Sequence, residues 1–292
     1  RDAQESRGLG DVYKRQGILS DAYGRKRVLM SGMFFFILGS MVCALSESYE
    51  MLMFGRMIQA FGASMVPGTL MAMIRDACSD LRVISLIGWL TVLGGLFLVA
   101  APIIGGVLTH FFGWNANFWF LALFTLFVFV LTFYSMQETH PEHARIPVDI
   151  RQTLSISLSM LRAPSFILVL APVISFYAIQ GAFLAAVPFI LMGEYGLDPV
   201  IFGISNINIV IGLFSGRYLG MYILRKYGNA SVYKYGAWLA IMVALLFIAI
   251  ILGWLSGLWT FLIISSIFAA VFGMMAPLGM KSSLSAFRSV SG

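Results

Sequence analysis

The chain has 292 residues, 60% of them hydrophobic and only 11% charged, and its mean hydropathy is +0.90. A soluble domain needs far more charge to cover its surface, and a β-barrel is written in short alternating segments rather than apolar runs of about 20 residues, so both classes are set aside. The net charge of +6 fits basic loops on the cytoplasmic side of a membrane better than a nucleic-acid partner.

In chain order, residues 1–16, "RDAQESRGLGDVYKRQ", are polar and aperiodic and lack the apolar core of a signal peptide. "RGLGDVYKRQ" resembles adapter-derived read-through at the ends of assembled sequences. The segment is expected to be non-native or disordered, a genuine cytoplasmic tail being the alternative. Apolar spans then follow at Val28–Leu45, Met51–Ile74, Val83–Thr109 and Trp114–Met136. A polar stretch, Gln137–Arg162, interrupts them. Four more spans lie at Ser165–Met192, Val200–Leu224, Tyr235–Gly253 and Leu258–Met280.

Loop charges test this reading. Arg25, Lys26 and Arg27 precede the first span; the next loop has Glu47 and Glu50 and no base; the third has Arg75 and Arg82; the fourth, near Gly113, has no base. Arg145, Arg151 and Arg162 fill the polar stretch, and Glu194 and Asp198 follow without a base. Arg217, Arg225, Lys226 and Lys234 come next, then a neutral turn near Ser256, then Lys281 and Arg288. Basic and base-free loops alternate at every crossing, which the positive-inside rule predicts for eight spans with the first loop in the cytoplasm. The expected organisation is a half-bundle over 17–136, a linker over 137–163 and a second half-bundle over 164–292. "SGRYLGMYILRKYGN" in the second group echoes "GILSDAYGRKR" in the first, a weak sign of two repeated halves.

Five positions carry chemistry in "GILSDAYGRKR". Gly17 and Gly24 allow a sharp turn and close helix approach. Asp21 stands at a membrane edge, where an isolated carboxylate is costly, and is expected to seek a base or a helix N-terminus. Arg25 and Lys26 are expected to cap carbonyls and face the anionic inner leaflet. A basic turn that only sets topology is the competing reading. Gly17, Leu19, Asp21, Gly24, Arg25 and Lys26 resemble the signature loop between helices 2 and 3 of the major facilitator superfamily, where such a cluster latches the transporter in one state.

Further stretches carry the same resemblance. "FGRMIQAFGASMVPG" is similar to the family's helix 4 motif, which implies a proton-coupling role for Arg56 and Gln59. A lone Arg inside a span costs about 2.5 kcal/mol or more on insertion scales, so Arg56 is not expected to face lipid unless it snorkels to the outer edge. "LVAAPIIGGVL" resembles the helix 5 antiporter motif through Pro102, Gly105 and Gly106, with Ala101 in place of its first glycine. The proline frees a carbonyl and the glycines flatten a face for close packing. Together with "MIRDACSD" and "FGWNANFWFL", this resembles the bicyclomycin-resistance-like branch of drug:proton antiporters. The last stretch departs from it, having Asn115 where an Arg is expected.

Tyr177, Gln180, Asn206 and Asn208 are polar groups inside spans, suited either to a substrate cavity or to bonds across helices. Asn206 and Asn208, two apart, cannot share a narrow helical face. The 17 Met and 25 Phe suit a deformable pocket for varied ligands, although most are expected to face lipid. Pro67, Pro172 and Pro188 are candidate hinges. Cys43 and Cys78 read as packing residues, and His140 and His143 in the linker form only a weak metal pattern.

The expected fold is an all-α membrane protein, a major-facilitator-type bundle of two pseudo-repeated halves with about eight of twelve helices. The resemblance implies that helices 1, 2, 11 and 12 are missing, and with helix 1 the carboxylate that often carries the proton; no acid lies mid-span here, so either that carboxylate is absent from this sequence or the protein is not proton-coupled. The expected function is export of drug-like or amphipathic molecules across the bacterial inner (plasma) membrane by proton antiport, with a metabolite carrier of the same fold as the alternative. No GxxxxGK[ST] loop is present, so direct ATP drive is not expected. The expected partners are a small-molecule substrate, protons and the lipid bilayer, with no cofactor, metal or nucleic acid, and the protein is expected to be a monomer rather than an enzyme or a sensor.

Overall fold

A computed structural model describes residues 18–78, 80–139 and 164–291. The N-terminal tail, Gly17 and the linker from His140 through His143 to residue 163 lie outside the described residues. Every regular element among the described residues is helical: α1 (Ile18–Tyr23), α2 (Arg25–Ala44), α3 (Tyr49–Ala77), α4 (Asp80–Phe112), α5 (Asn115–Ser135), α6 (Pro164–Pro188), α7 (Pro199–Tyr227), α8 (Asn229–Ile251) and α9 (Leu258–Ser291). Eight of them, all but α1, contain stretches long and apolar enough to cross a membrane.

The helix boundaries have local causes. Ser48 caps α3 by accepting the Met51 amide at 3.2 Å. Asp198 does the same for α7 from Val200 at 3.0 Å, with Pro199 in the first turn, where a missing N–H costs nothing. One feature was not expected: α6 passes at Pro188 into a six-residue π-helical segment, Phe189–Glu194, so the proline marks a change of winding rather than a simple bend.

The described residues divide into two compact units, one within 1–96 and 108–150 and the other within 97–107 and 151–292. A short part of α4 thus packs with the second unit. In the first unit α2 and α3 run antiparallel with glycines in the seam: a Cβ on Gly39 would sit 2.8 Å from the Gln59 Cα, and one on Gly32 would sit 2.9 Å from the Gly62 carbonyl.

In the second unit α7 and α9 run parallel, with Gly212, Gly216 and Gly220 against Ser266, Ala270 and Met274. Glycines four apart make one smooth ridge, which lets the backbones touch. Buried Val187, Leu191 and Phe261 form one apolar cluster, and Val243, Ile264 and Val271 another, with Phe247 packed against both. The outer faces are apolar too: Phe34, Leu96, Phe127 and Leu245 are all more than half exposed, as a lipid-facing surface requires.

Candidate functional site

The glycine-punctuated loop folds into a tight charged cluster at one end of the first unit. Gly24 separates α1 from α2 at φ 95°, a left-handed conformation that disfavours any side chain. The break brings Arg25 back over α1, where its Nη1 pairs with Asp21 Oδ1 and donates to Ser20 Oγ at 2.5 Å. The Arg25 Nε donates to Asp76 Oδ2 at the end of α3, at 3.1 Å. The start of α2 has no side-chain cap of its own. Its first amides are held by Glu138, just beyond α5: Arg25 N–H donates to Oε1 at 2.9 Å and Lys26 N–H to Oε2 at 3.2 Å. Lys26 Nζ reaches the Phe133 carbonyl at 2.8 Å and lies 5.4 Å from that ring's centroid.

Asp21 has therefore found its base. Lys26 caps a carbonyl as expected, but Arg25 does not face the leaflet: it is only 7% exposed and binds carboxylates instead. The physical reason is that a guanidinium offers donors along separate directions and serves two acids at once. Asp76 and Glu138 were not singled out in the sequence. Asp76 lies inside "MIRDACSD", and an acid at the end of a span is the signal that would have found it.

A second polar chain runs from α3 to α2. Arg56 Nη1 donates to Gln59 Oε1 at 2.5 Å, Gln59 Nε2 to Ser40 Oγ at 2.8 Å, and Ser40 Oγ to the Phe36 carbonyl at 2.7 Å. Gln59 and Ser40 are buried, whereas Arg56 is exposed, against expectation, with its guanidinium 6.0 Å from the centre of the Phe118 ring. Seven residues into α3, it lies roughly 10 Å below the helix end, a depth from which a long cationic side chain can snorkel. At the same end Asn115 Nδ2 caps the Ala44 carbonyl at 2.9 Å, so the short amide closes the end of α2 without an Arg.

Within the second unit, the stretch of α4 around Pro102 meets α7. A Cβ on Gly203 would sit 2.5 Å from the Pro102 carbonyl, and one on Gly106 would collide with the Pro199 carbonyl. Gly105 is half-buried in the same stretch. Pro102 and Gly106 thus serve close backbone packing.

The four substrate candidates are divided. Asn208 Nδ2 is engaged across helices with the Leu262 carbonyl at 2.5 Å, while Ser266 Oγ donates to the Asn208 carbonyl at 3.2 Å. Asn206 Nδ2 bonds back to the Phe202 carbonyl of its own helix at 2.8 Å. Tyr177 is half-exposed, edge-on to Phe272 at 5.3 Å, and that ring also stacks on Phe176 at 4.9 Å. One turn away, Gln180 Oε1 is buried and accepts no hydrogen bond from a described residue.

Comparison with known proteins adds to this geometry. The Major Facilitator Superfamily matches residues 17–291. The uncharacterized MFS-type transporter YdgK of Bacillus subtilis (strain 168) is 30% identical over 212 residues, covering 70% of this chain and 53% of that protein. Multidrug resistance protein MdtL of Shewanella sp. (strain ANA-3) is 26% identical over 289 residues, 96% of this chain and 70% of the relative. MdtL of Escherichia coli (strain K12 / DH10B) is 29% identical over 134 residues, 46% of this chain and 34% of the relative. The matched stretches thus span from about a third to 70% of these relatives' lengths.

Proposed function

The chain belongs to the Major Facilitator Superfamily, and on that premise we propose that it works as a proton-coupled exporter of drug-like or amphipathic small molecules, by alternating access. It is a multi-pass protein of the inner (plasma) membrane, and a carrier rather than an enzyme. The drug-export part of the reading is supported by relatives named multidrug resistance proteins.

The observation that carries the mechanism is the Arg25 cluster. One guanidinium joins α1 and α3 through Asp21 and Asp76, and one carboxylate from beyond α5 holds the start of α2. Partly buried ionic contacts are costly to leave half-made, so such a cluster is two-state in character: fully paired in one conformation and exchanged for other partners or water in the next. We assign it the role of a latch that must open and close in each cycle.

Arg56 serves coupling without giving up its own proton, since a guanidinium stays charged at any working pH. Its positive charge favours the ionised form of an acid that comes near, and the Gln59–Ser40 chain fixes where that charge sits. Gln180 and Tyr177 are the pair we assign to substrate, because the buried Gln180 carbonyl accepts no hydrogen bond from a described residue. Asn206 and Asn208 already hold helix carbonyls.

Asp21→Asn in the complete protein is expected to insert normally yet to lose most drug efflux, measured in energised vesicles. Undiminished efflux from well-expressed variant would overturn the latch. Counterflow with drug-like and metabolite candidates checks the substrate class: exchange of metabolites alone would favour a metabolite carrier.

A further inference from the structure

The positive charge is distributed very unevenly. Of the 19 Lys and Arg and 13 Asp and Glu in the chain, residues 1–198 hold 13 of each. The whole net charge of +6 therefore lies after Asp198, in a stretch with six bases and no acid. The first unit settles its buried base internally, on Asp21 and Asp76. The last three helices have no carboxylate with which to do so.

Three of those bases gather where α7 turns into α8. Arg225 and Lys226 are in the last turn of α7 and Lys234 is in the second turn of α8. All three side chains are exposed, and none has an ion pair with a described residue. Lys226 Nζ lies near two aromatic rings, 5.8 Å from the Tyr222 centroid and 5.1 Å from that of Tyr227. It also lies 3.4 Å from the Tyr222 hydroxyl. The helix-end dipole of α7 favours Arg225 and Lys226 but does not neutralise them.

The tyrosines set the depth of this patch. Four of the 11 in the chain fall between 222 and 235, and Tyr222 and Tyr227 are 52% and 53% exposed. Tyrosine concentrates where hydrocarbon gives way to headgroups. The unpaired cations therefore lie at the level of lipid phosphates, which makes a membrane anion a closer partner than one dissolved in water. Arg217, about 12 Å back along α7 from Arg225, is deeper and lies outside the patch.

We infer that the α7–α8 turn is a binding site for the headgroup of an anionic phospholipid. Arg225, Lys226 and Lys234 contact the phosphate and the flanking tyrosines bracket its glycerol end. The site is independent of the substrate and of coupling, so it stands or falls apart from the export reading.

The test uses the full chain in nanodiscs of phosphatidylcholine doped with phosphatidylglycerol or cardiolipin, with co-purified lipid quantified by native mass spectrometry. Wild type is expected to retain anionic over zwitterionic lipid with roughly tenfold or greater preference, and R225Q/K226Q/K234Q to lose that preference. R225K/K234R, which keeps the charge, is expected to preserve it, and so is R82Q in the first unit. Equal enrichment in wild type and the triple variant would overturn the site. Displacement of the lipid by millimolar inorganic phosphate would overturn the lipid as partner and leave a free-anion site. Loss of enrichment in R82Q as well would reduce the effect to overall charge.

Discussion

Arg25 is the residue on which the first unit's charged end turns. Its guanidinium reaches Asp21 and Asp76, and its backbone amide reaches Glu138. Lysine would keep the charge but offers a single point of contact, so Arg25→Lys is expected to hold one acid and release the other, and to lower efflux severalfold with insertion unchanged. Glu138→Gln keeps an acceptor but removes the charge at a helix start, a loss of roughly 0.5–1 kcal/mol. It is expected to lower the thermal midpoint of detergent-solubilised protein by no more than a few degrees while slowing efflux. Arg56→Ala removes the charge next to Gln59 and is expected to flatten the pH dependence of efflux; an unchanged pH profile would remove Arg56 from coupling.

At the scale of the helices, small residues decide the packing. Gly216 stands so close to the Ala270 backbone that an added Cβ would overlap it. A mid-helix Gly→Ala exchange by itself favours the helix by about 1 kcal/mol. Gly216→Ala is therefore a test of sign: it is expected to destabilise by roughly 1–3 kcal/mol through overpacking, while Gly181→Ala, where an added Cβ meets nothing within 4 Å, is expected to be neutral or stabilising. Thermal unfolding in detergent reads both.

The eight spans could be read in the sequence because each is an apolar run closed by charges, caps or glycine. The contact between Asp21 and Arg25 could be anticipated because a carboxylate at a membrane edge must find a cation nearby. Asp76 and Glu138 could not be paired with Arg25 in this way, since they lie 51 and 113 positions away and only the meeting of helix ends brings them together. The π-helical segment after Pro188 also left no mark, since its residues are as apolar as those of an ordinary helix turn. The Gly212, Gly216 and Gly220 ridge is written in the sequence at a spacing of four, but that spacing does not say which helix it meets, since Ser266, Ala270 and Met274 lie far along the chain.

For the whole molecule, the proposed latch depends on how the chain threads the membrane. Bases alternate with base-free loops along the entire chain, and an even number of crossings separates Gly24 from the α7–α8 turn. The proposed export rests on that threading. The direct measurement is labelling of single cysteines placed at Glu47 and at Arg145 by a membrane-impermeant maleimide, in intact cells and in inverted vesicles, with Cys43 and Cys78 replaced. Glu47→Cys is expected to react only from outside the cell and Arg145→Cys only in inverted vesicles. Labelling of both from the same side would contradict the threading, and with it the latch and the export function built on it.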